Sequence, residues 1–132
     1  MKEIFKSTRY FTLFDFVISH GQLLLRSQKN DESGNNIDIV FSGTTYIQLF
    51  SRLNGLVITR IENDISNISH SSVKKFLEYD NNYLFEIESN GEKYSIAASF
   101  VTVYENKLEF SESSLNAIGN RRGVEIASSL HA

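Results

Sequence analysis

Phe14-Asp15-Phe16-Val17-Ile18-Ser19-His20-Gly21-Gln22-Leu23-Leu24-Leu25-Arg26 is two apolar runs joined at His20-Gly21, and its reading decides the fold class. A two-residue turn at His20-Gly21 sets Ile18 opposite Leu23, Val17 opposite Leu24, Phe16 opposite Leu25 and Asp15 opposite Arg26, each pair matched in chemistry. Asn90-Gly91 passes the same test more strongly, because Asn-Gly is the preferred type I′ dipeptide; it pairs Glu88 with Lys93, Ile87 with Tyr94 and Phe85 with Ile96. Two such hairpins predict an antiparallel β domain. Both faces of the first hairpin are apolar, Phe14, Phe16, Ile18, Leu23 and Leu25 against Leu13, Val17 and Leu24. A sheet apolar on both faces is covered on both. This hairpin is therefore expected at the centre, in a sandwich or in a sheet whose outer face meets a helix, the tail or a partner.

Working outward, residues 30–36 are a polar loop of turn formers. Residues 37–41 alternate as a strand, and Ser42-Gly43-Thr44-Thr45 is read as turning it into a second strand over 46–50. Leu53-Asn54-Gly55 reads as a turn before a strand over 56–61. Residues 63–72 have no sustained period, whereas Ser72 can cap a short helix over 72–77. After the Asn90-Gly91 hairpin, Phe100-Val101 breaks the alternation and predicts a bulge between Ala98 and Val101. A turn at Glu105-Asn106 would place Val103 opposite Leu108 and Val101 opposite Phe110, with the last strand over 107–111. Residues 111–119 read as one or two helical turns ended by Gly119, and 120–132 as a loosely held, flexible tail. The expected fold is mainly β: a single domain over 1–132 with an antiparallel sheet of about eight strands. It is a sandwich or open barrel of meander-like hairpins, with one or two short helices.

A chain of 132 residues buries roughly two thirds of its unfolded surface in one core. With 41% hydrophobic and 22% charged residues its composition is that of a folded globular protein. A net charge of -3 supplies no general attraction for nucleic acid or anionic membrane. The absence of cysteine removes disulfides, thiolate metal sites and cysteine nucleophiles together. The first residues show no apolar signal region, and 11–25 is too short and too polar to span a bilayer, so a cytoplasmic location is expected.

Few residues have the chemistry for a site. His20, His70 and His131 are isolated from one another and from ligand-spaced carboxylates, so no metal site is expected. His20 reads first as a turn residue and second as the rim of a pocket. Asp15 and Arg26 read as a cross-strand ion pair, with a ligand-orienting couple as the functional alternative. Glu86 and Glu88 share a strand face as a carboxylate pair would, but Lys93 opposite Glu88 favours a solvated, charge-paired face. Tyr46 and the other tyrosines offer stacking surfaces without the surrounding basic residues that a nucleic-acid platform needs. Arg121-Arg122 lies beside Glu125 and reads as solvated charge. No Gly-x-Ser-x-Gly elbow and no phosphate-binding glycine loop occurs. No catalytic residue and no cofactor is assigned; Asp15, His20, Arg26, Tyr46, Glu86 and Glu88 remain as binding candidates.

Residues 14–27 with 36–43, and Tyr104-Glu105-Asn106-Lys107-Leu108-Glu109-Phe110 followed by 111–115, resemble small uncharacterised bacterial proteins. Some of these have the look of immunity or accessory proteins encoded beside polymorphic toxins. The resemblance brings no catalytic residues. The leading expectation is a non-enzymatic protein-binding domain of immunity type, its acidic residues steering it toward a partner with a basic surface. The alternative is a small-molecule-binding β domain, a carrier or sensor, which would need a cavity above roughly 300 Å³ with convergent polar groups. An enzyme with a dispersed site ranks last. An edge strand rich in Ile and Phe also predicts a homodimer.

Overall fold

The Asn90-Gly91 hairpin forms in the register its sequence dictates. Glu88 faces Lys93, Ile87 faces Tyr94 and Phe85 faces Ile96, and both turn residues take the positive φ of a type I′ turn, 51° at Asn90 and 78° at Gly91. Its strands belong to a nine-stranded sheet in a computed structural model that describes residues 2–61 and 82–131. The strands are β1 (Lys2–Val17), β2 (Gln22–Ser27), β3 (Asn36–Ser42), β4 (Tyr46–Gln48), β5 (Arg52–Ile61), β6 (Tyr83–Ser89), β7 (Glu92–Ala98), β8 (Phe100–Asn106) and β9 (Val124–Ser128). They lie in the order β4-β7-β6-β5-β1-β2-β3-β8-β9, every neighbouring pair antiparallel, in one sheet not closed into a barrel. Only short 3-10 turns supply helix among the described residues, and the helix expected over 72–77 lies outside them.

β1 is the spine. Its residues 2–12 bond β5 and its residues 12–17 bond β2, so one strand joins the two halves of the sheet. The first hairpin is central, as its two apolar faces require, but its register differs from the sequence reading. Ile18–His20 forms a 3-10 turn closed by Gly21 at φ 56°, so the loop takes four residues rather than two. Val17 then faces Gln22, Phe16 faces Leu23 and Asp15 faces Leu24; a bulge follows, and Leu13 faces Leu25. Asp15 and Arg26 are therefore not a pair. The longer loop needs positive φ at Gly21 alone, whereas a type I′ turn would impose it on His20 as well. Arg26 instead faces Asp38 on β3 and holds its carboxylate through Nε at 2.7 Å and Nη2 at 2.8 Å.

Three other expectations are corrected by long-range pairing. Leu53-Asn54-Gly55 is no turn: β5 runs through it, and Gly55, at φ 75°, lies opposite a break in β1 between Ser7 and Tyr10. Residues 42–45 do not fold β4 back onto β3; they carry it to the far edge, where Ile47 faces Ile96 of β7. No turn forms at Glu105-Asn106 and no strand over 107–111; Val103 faces Ala127 instead, so residues 124–128, expected in a loose tail, are β9. The predicted irregularity near Ala98 is the break at Ser99, whose N–H donates to Ser42 O at 2.9 Å where the chain passes from one half of the sheet to the other.

The two halves curl over a common core. Phe11, Leu23, Ile39, Phe41, Ile58, Phe85, Ile96 and Val103 are buried in it, and Phe41 meets Phe85 edge to face at 5.7 Å across the sheet halves. On the opposite face of β2, β3 and β8 lie Leu24, Val40, Arg26 and Asp38, all buried. What covers them is a strap, residues 107–122. Its hold is mostly polar: Arg26 Nη1 donates to Glu112 O at 2.7 Å, Asn36 Nδ2 to Leu108 O at 2.8 Å, and Asn106 Nδ2 to Arg122 O at 3.1 Å.

Candidate functional site

Residues 16–25 and 39–51 contain no Asp, Glu, Lys or Arg, although 22% of the chain is charged. The fold brings both runs to one end of the sheet. The turn after β1 crosses the link between β3 and β4, where Gly43 N–H donates to His20 O at 3.2 Å and Thr44 N–H to Gly21 O at 2.9 Å. The crossing is close enough that a Cβ on Gly21 would sit 2.9 Å from Thr44 N. Beyond β4 the chain returns to β1, and Leu13 N–H donates to Ser51 O at 2.8 Å. These four bonded segments form a continuous rim.

The rim exposes large apolar side chains: Ile18 is 85% exposed, Phe50 61%, Leu13 45%, Phe16 43% and Ile47 43%. Register explains three of them. Leu13, Phe16 and Ile47 face Leu25, Leu23 and Ile96, so they continue the core-side face of the sheet outward to solvent. Leu49, the next residue of that face after Ile47, packs against the core. The result is a core that emerges at one end as an uncharged apolar surface. Where such exposed apolar side chains form a large contiguous patch, they are characteristic of contact surfaces.

Of the six candidates drawn from the sequence, the structure brings two to this rim. His20 is exposed in the 3-10 turn, and Tyr46 is half-buried in β4, linked through Gly43 and Thr44. Asp15 and Arg26 lie on the opposite face. Asp15 accepts from Ser113 Oγ at 2.6 Å and so ties the strap, while Arg26 stacks on the Phe14 ring at 4.1 Å. Asp38, bonded by Arg26, also accepts from Asn106 Nδ2 at 2.9 Å, which completes a buried, satisfied network. Glu86 and Glu88 sit in the other half of the sheet, and Glu86 pairs with Lys93 at 3.5 Å. Leu13, Phe16, Ile18, Ile47 and Phe50 were not legible as site residues, because each reads as an ordinary strand or turn apolar. The signal that marks Phe16, Ile18, Ile47 and Phe50 is the absence of charge over two separate runs, whereas Leu13, two residues before Asp15, lies outside both.

The remaining chemistry is sparse. No group of three or more His, Asp or Glu among the described residues is placed to hold a metal ion. A surface groove of about 620 Å³ lies between the end of β8 and the start of β9, beside Glu105, Lys107, Asn120 and Arg121. Its polar lining is largely engaged by the protein itself: Asn35 Nδ2 donates to Glu105 Oε2 at 3.2 Å, and Arg121 pairs with Glu112. The backbone N–H of Glu109 and the Arg121 guanidinium hold the Glu112 carboxyl below its ordinary value of 4.5.

These features define an all-β domain with a buried polar network under a strap and an apolar rim at one end. No family model matches the chain. Neither a curated protein nor a solved structure matches it.

Proposed function

We propose that the chain is a non-enzymatic protein-binding domain, of immunity type in the sense of a small scaffold that blocks a partner, and that it engages through the apolar rim. The observation that carries this reading is the exposure of Leu13, Phe16, Ile18, Ile47 and Phe50, four of them within charge-free runs, at an end of the sheet where the turn after β1 bonds the β3–β4 link and Leu13 bonds Ser51. Clusters of large apolar and aromatic side chains supply most of the energy in protein interfaces. The rim moves the emphasis away from acidic steering. Glu86, Glu109 and Glu112 already have Lys93, Lys29 and Arg121 as partners, and Glu78 and Asp80 lie outside the described residues. The complementary partner surface is apolar, with charge only at its margin.

The test uses the tagged chain as bait in a lysate of its own organism, beside the Ile18→Lys and Phe50→Lys variants. A stoichiometric partner held by the wild type, resistant to high salt and lost from both variants, is the expected result. Equal retention by all three, or an empty wild-type bait, would overturn it. The groove of about 620 Å³ favours the second reading, a small-molecule-binding domain, for which native mass spectrometry would find a retained ligand.

A further inference from the structure

The sheet does not run through the strap. The chain leaves the ladder at Asn106 and rejoins it at Val124. Between them, among the described residues, the backbone bonds only to itself: Glu112 N–H to Glu109 O, Asn116 N–H to Ser113 O, Ala117 N–H to Ser114 O and Arg121 N–H to Ile118 O. Every bond from the strap to the sheet involves a side chain. To those of Arg26, Asn36 and Asn106 already described are added Ser113 Oγ to Asp15 at 2.6 Å, Leu108 N–H to Asn106 Oδ1 at 3.3 Å and Lys29 Nζ to Lys107 O at 2.9 Å. Of the strap's larger apolar side chains only Leu108 is buried; Leu115 is half-buried, and Phe110 and Ile118 are exposed. Ser114 is fully buried, yet its Oγ has no hydrogen-bond partner among the described residues.

We infer that residues 107–122 are a displaceable cover, which lifts from the outer face of β2, β3 and β8 as one unit while the sheet stays folded, and that the unpartnered hydroxyl of Ser114 biases it toward opening. Lifting breaks no rung of the ladder, and the polar bonds it breaks are exchanged for bonds to water, so each contributes little to holding the strap down. Segments with few buried apolar contacts are the ones that open below the free energy of global unfolding. Arg26 and Asp38 both belong to the sheet and remain bonded to each other when the strap leaves. Opening therefore strands neither charge; it hydrates the pair and returns part of the cost of burying it. Ser114 Oγ likewise gains in water the partner it lacks when covered. The opened form presents a second face, with the Arg26–Asp38 pair beside Leu24 and Val40, that the closed form hides.

Thiol labelling of the native protein tests it, because the chain has no cysteine and each introduced one is unique. Ser114→Cys reports on the strap, Val40→Cys on the face beneath it and Val103→Cys on the core, all three positions being buried. Circular dichroism confirms each variant as folded, and Leu24→Cys repeats the Val40 measurement on the same face. Rates are taken relative to the unfolded chain, at reagent concentrations where labelling is slow compared with closing. Ser114→Cys and Val40→Cys are expected to share one protection factor with a shallow urea dependence, while Val103→Cys is protected about tenfold or more beyond them and carries the full urea slope of unfolding. Adding Ser114→Ala to the Val40→Cys chain is expected to slow its labelling about fivefold or more, since the buried hydroxyl no longer waits for a partner. Equal protection at all three positions, or a full unfolding slope at Ser114→Cys and Val40→Cys, would show that the strap leaves only when the sheet unfolds and would overturn the inference. Labelling of Ser114→Cys with Val40→Cys as protected as the core would overturn it too, because the strap would then fray without uncovering the face. Unchanged labelling in the Ser114→Ala chain would overturn the role given to that hydroxyl.

Discussion

Arg26 is fully buried beside Asp38, and its guanidinium is satisfied on every side: two bonds to the carboxylate, one to Glu112 O and a stack on Phe14. Removing one member of such a pair strands the other charge away from water, which costs about 3–5 kcal/mol, more than any exposed ion pair returns. Arg26→Ala and Asp38→Ala are each expected to lower stability by that amount in urea titrations, while Asp15→Asn, which replaces one of the two carboxylate oxygens that accept from Ser113 Oγ and Phe16 N–H, costs only about 1 kcal/mol. Equal losses at Asp15 and Arg26 would restore the discarded pairing of the two. Arg9 plays a different part where β1 leaves β2. Its guanidinium donates to Ser27 Oγ, Ser33 Oγ and the carbonyls of Ser27, Gln28 and Asn35. Lysine has three donors on one atom and cannot span that fork, so Arg9→Lys is expected to lose about 1–3 kcal/mol, read as a lower urea midpoint.

Between elements, close crossings decide what sequence changes the fold accepts. Gly43 sits at φ 66° where a Cβ would overlap Ser99 Oγ, the residue at which β7 hands over to β8. Gly43→Ala should cost about 1–3 kcal/mol from backbone strain and collision together, and Ser99→Gly in the same chain should return the collision part, which a double-mutant cycle measures directly. The strap has its own sensitivity to acid. Glu112 has its pKa lowered in the fold by Glu109 N–H and Arg121, so it contributes stability that is present above its unfolded value and lost as pH falls through its lower folded value. The protection of residues 107–122 against hydrogen exchange, taken relative to the intrinsic exchange rate at each pH, is expected to fall below about pH 4.5. Glu112→Gln should flatten that dependence, and an unchanged profile would remove Glu112 from the strap's hold.

At the scale of the whole molecule, β1 makes one cooperative unit of the two sheet halves. Its sixteen residues bond both, and the core side chains of each half pack on those of the other. Phe41→Ala, in the middle of that core, is therefore expected to lose about 3–5 kcal/mol. Unfolding should remain a single transition, seen at the same midpoint by far-ultraviolet and near-ultraviolet circular dichroism. Two separated midpoints would show that the halves fold independently.

What was legible in the chain was local. Asn90-Gly91 fixed its hairpin because only residues tolerant of positive φ can make that turn, and the doubly apolar first hairpin announced a strand pair covered on both faces. The partner choices were not legible. Val103 has no preference in its own sequence between Leu108 and Ala127, Arg26 none between Asp15 and Asp38, and β4 none between β3 and β7. Those choices rest on contacts distant in sequence, such as Asn106 with Asp38 and Asn36, which neither turn chemistry nor periodicity encodes. The rim shows the same division. Its lack of charge is written in residues 16–25 and 39–51, but only the tertiary structure decides that the two runs meet at one end of the sheet, because their meeting depends on where β4 pairs.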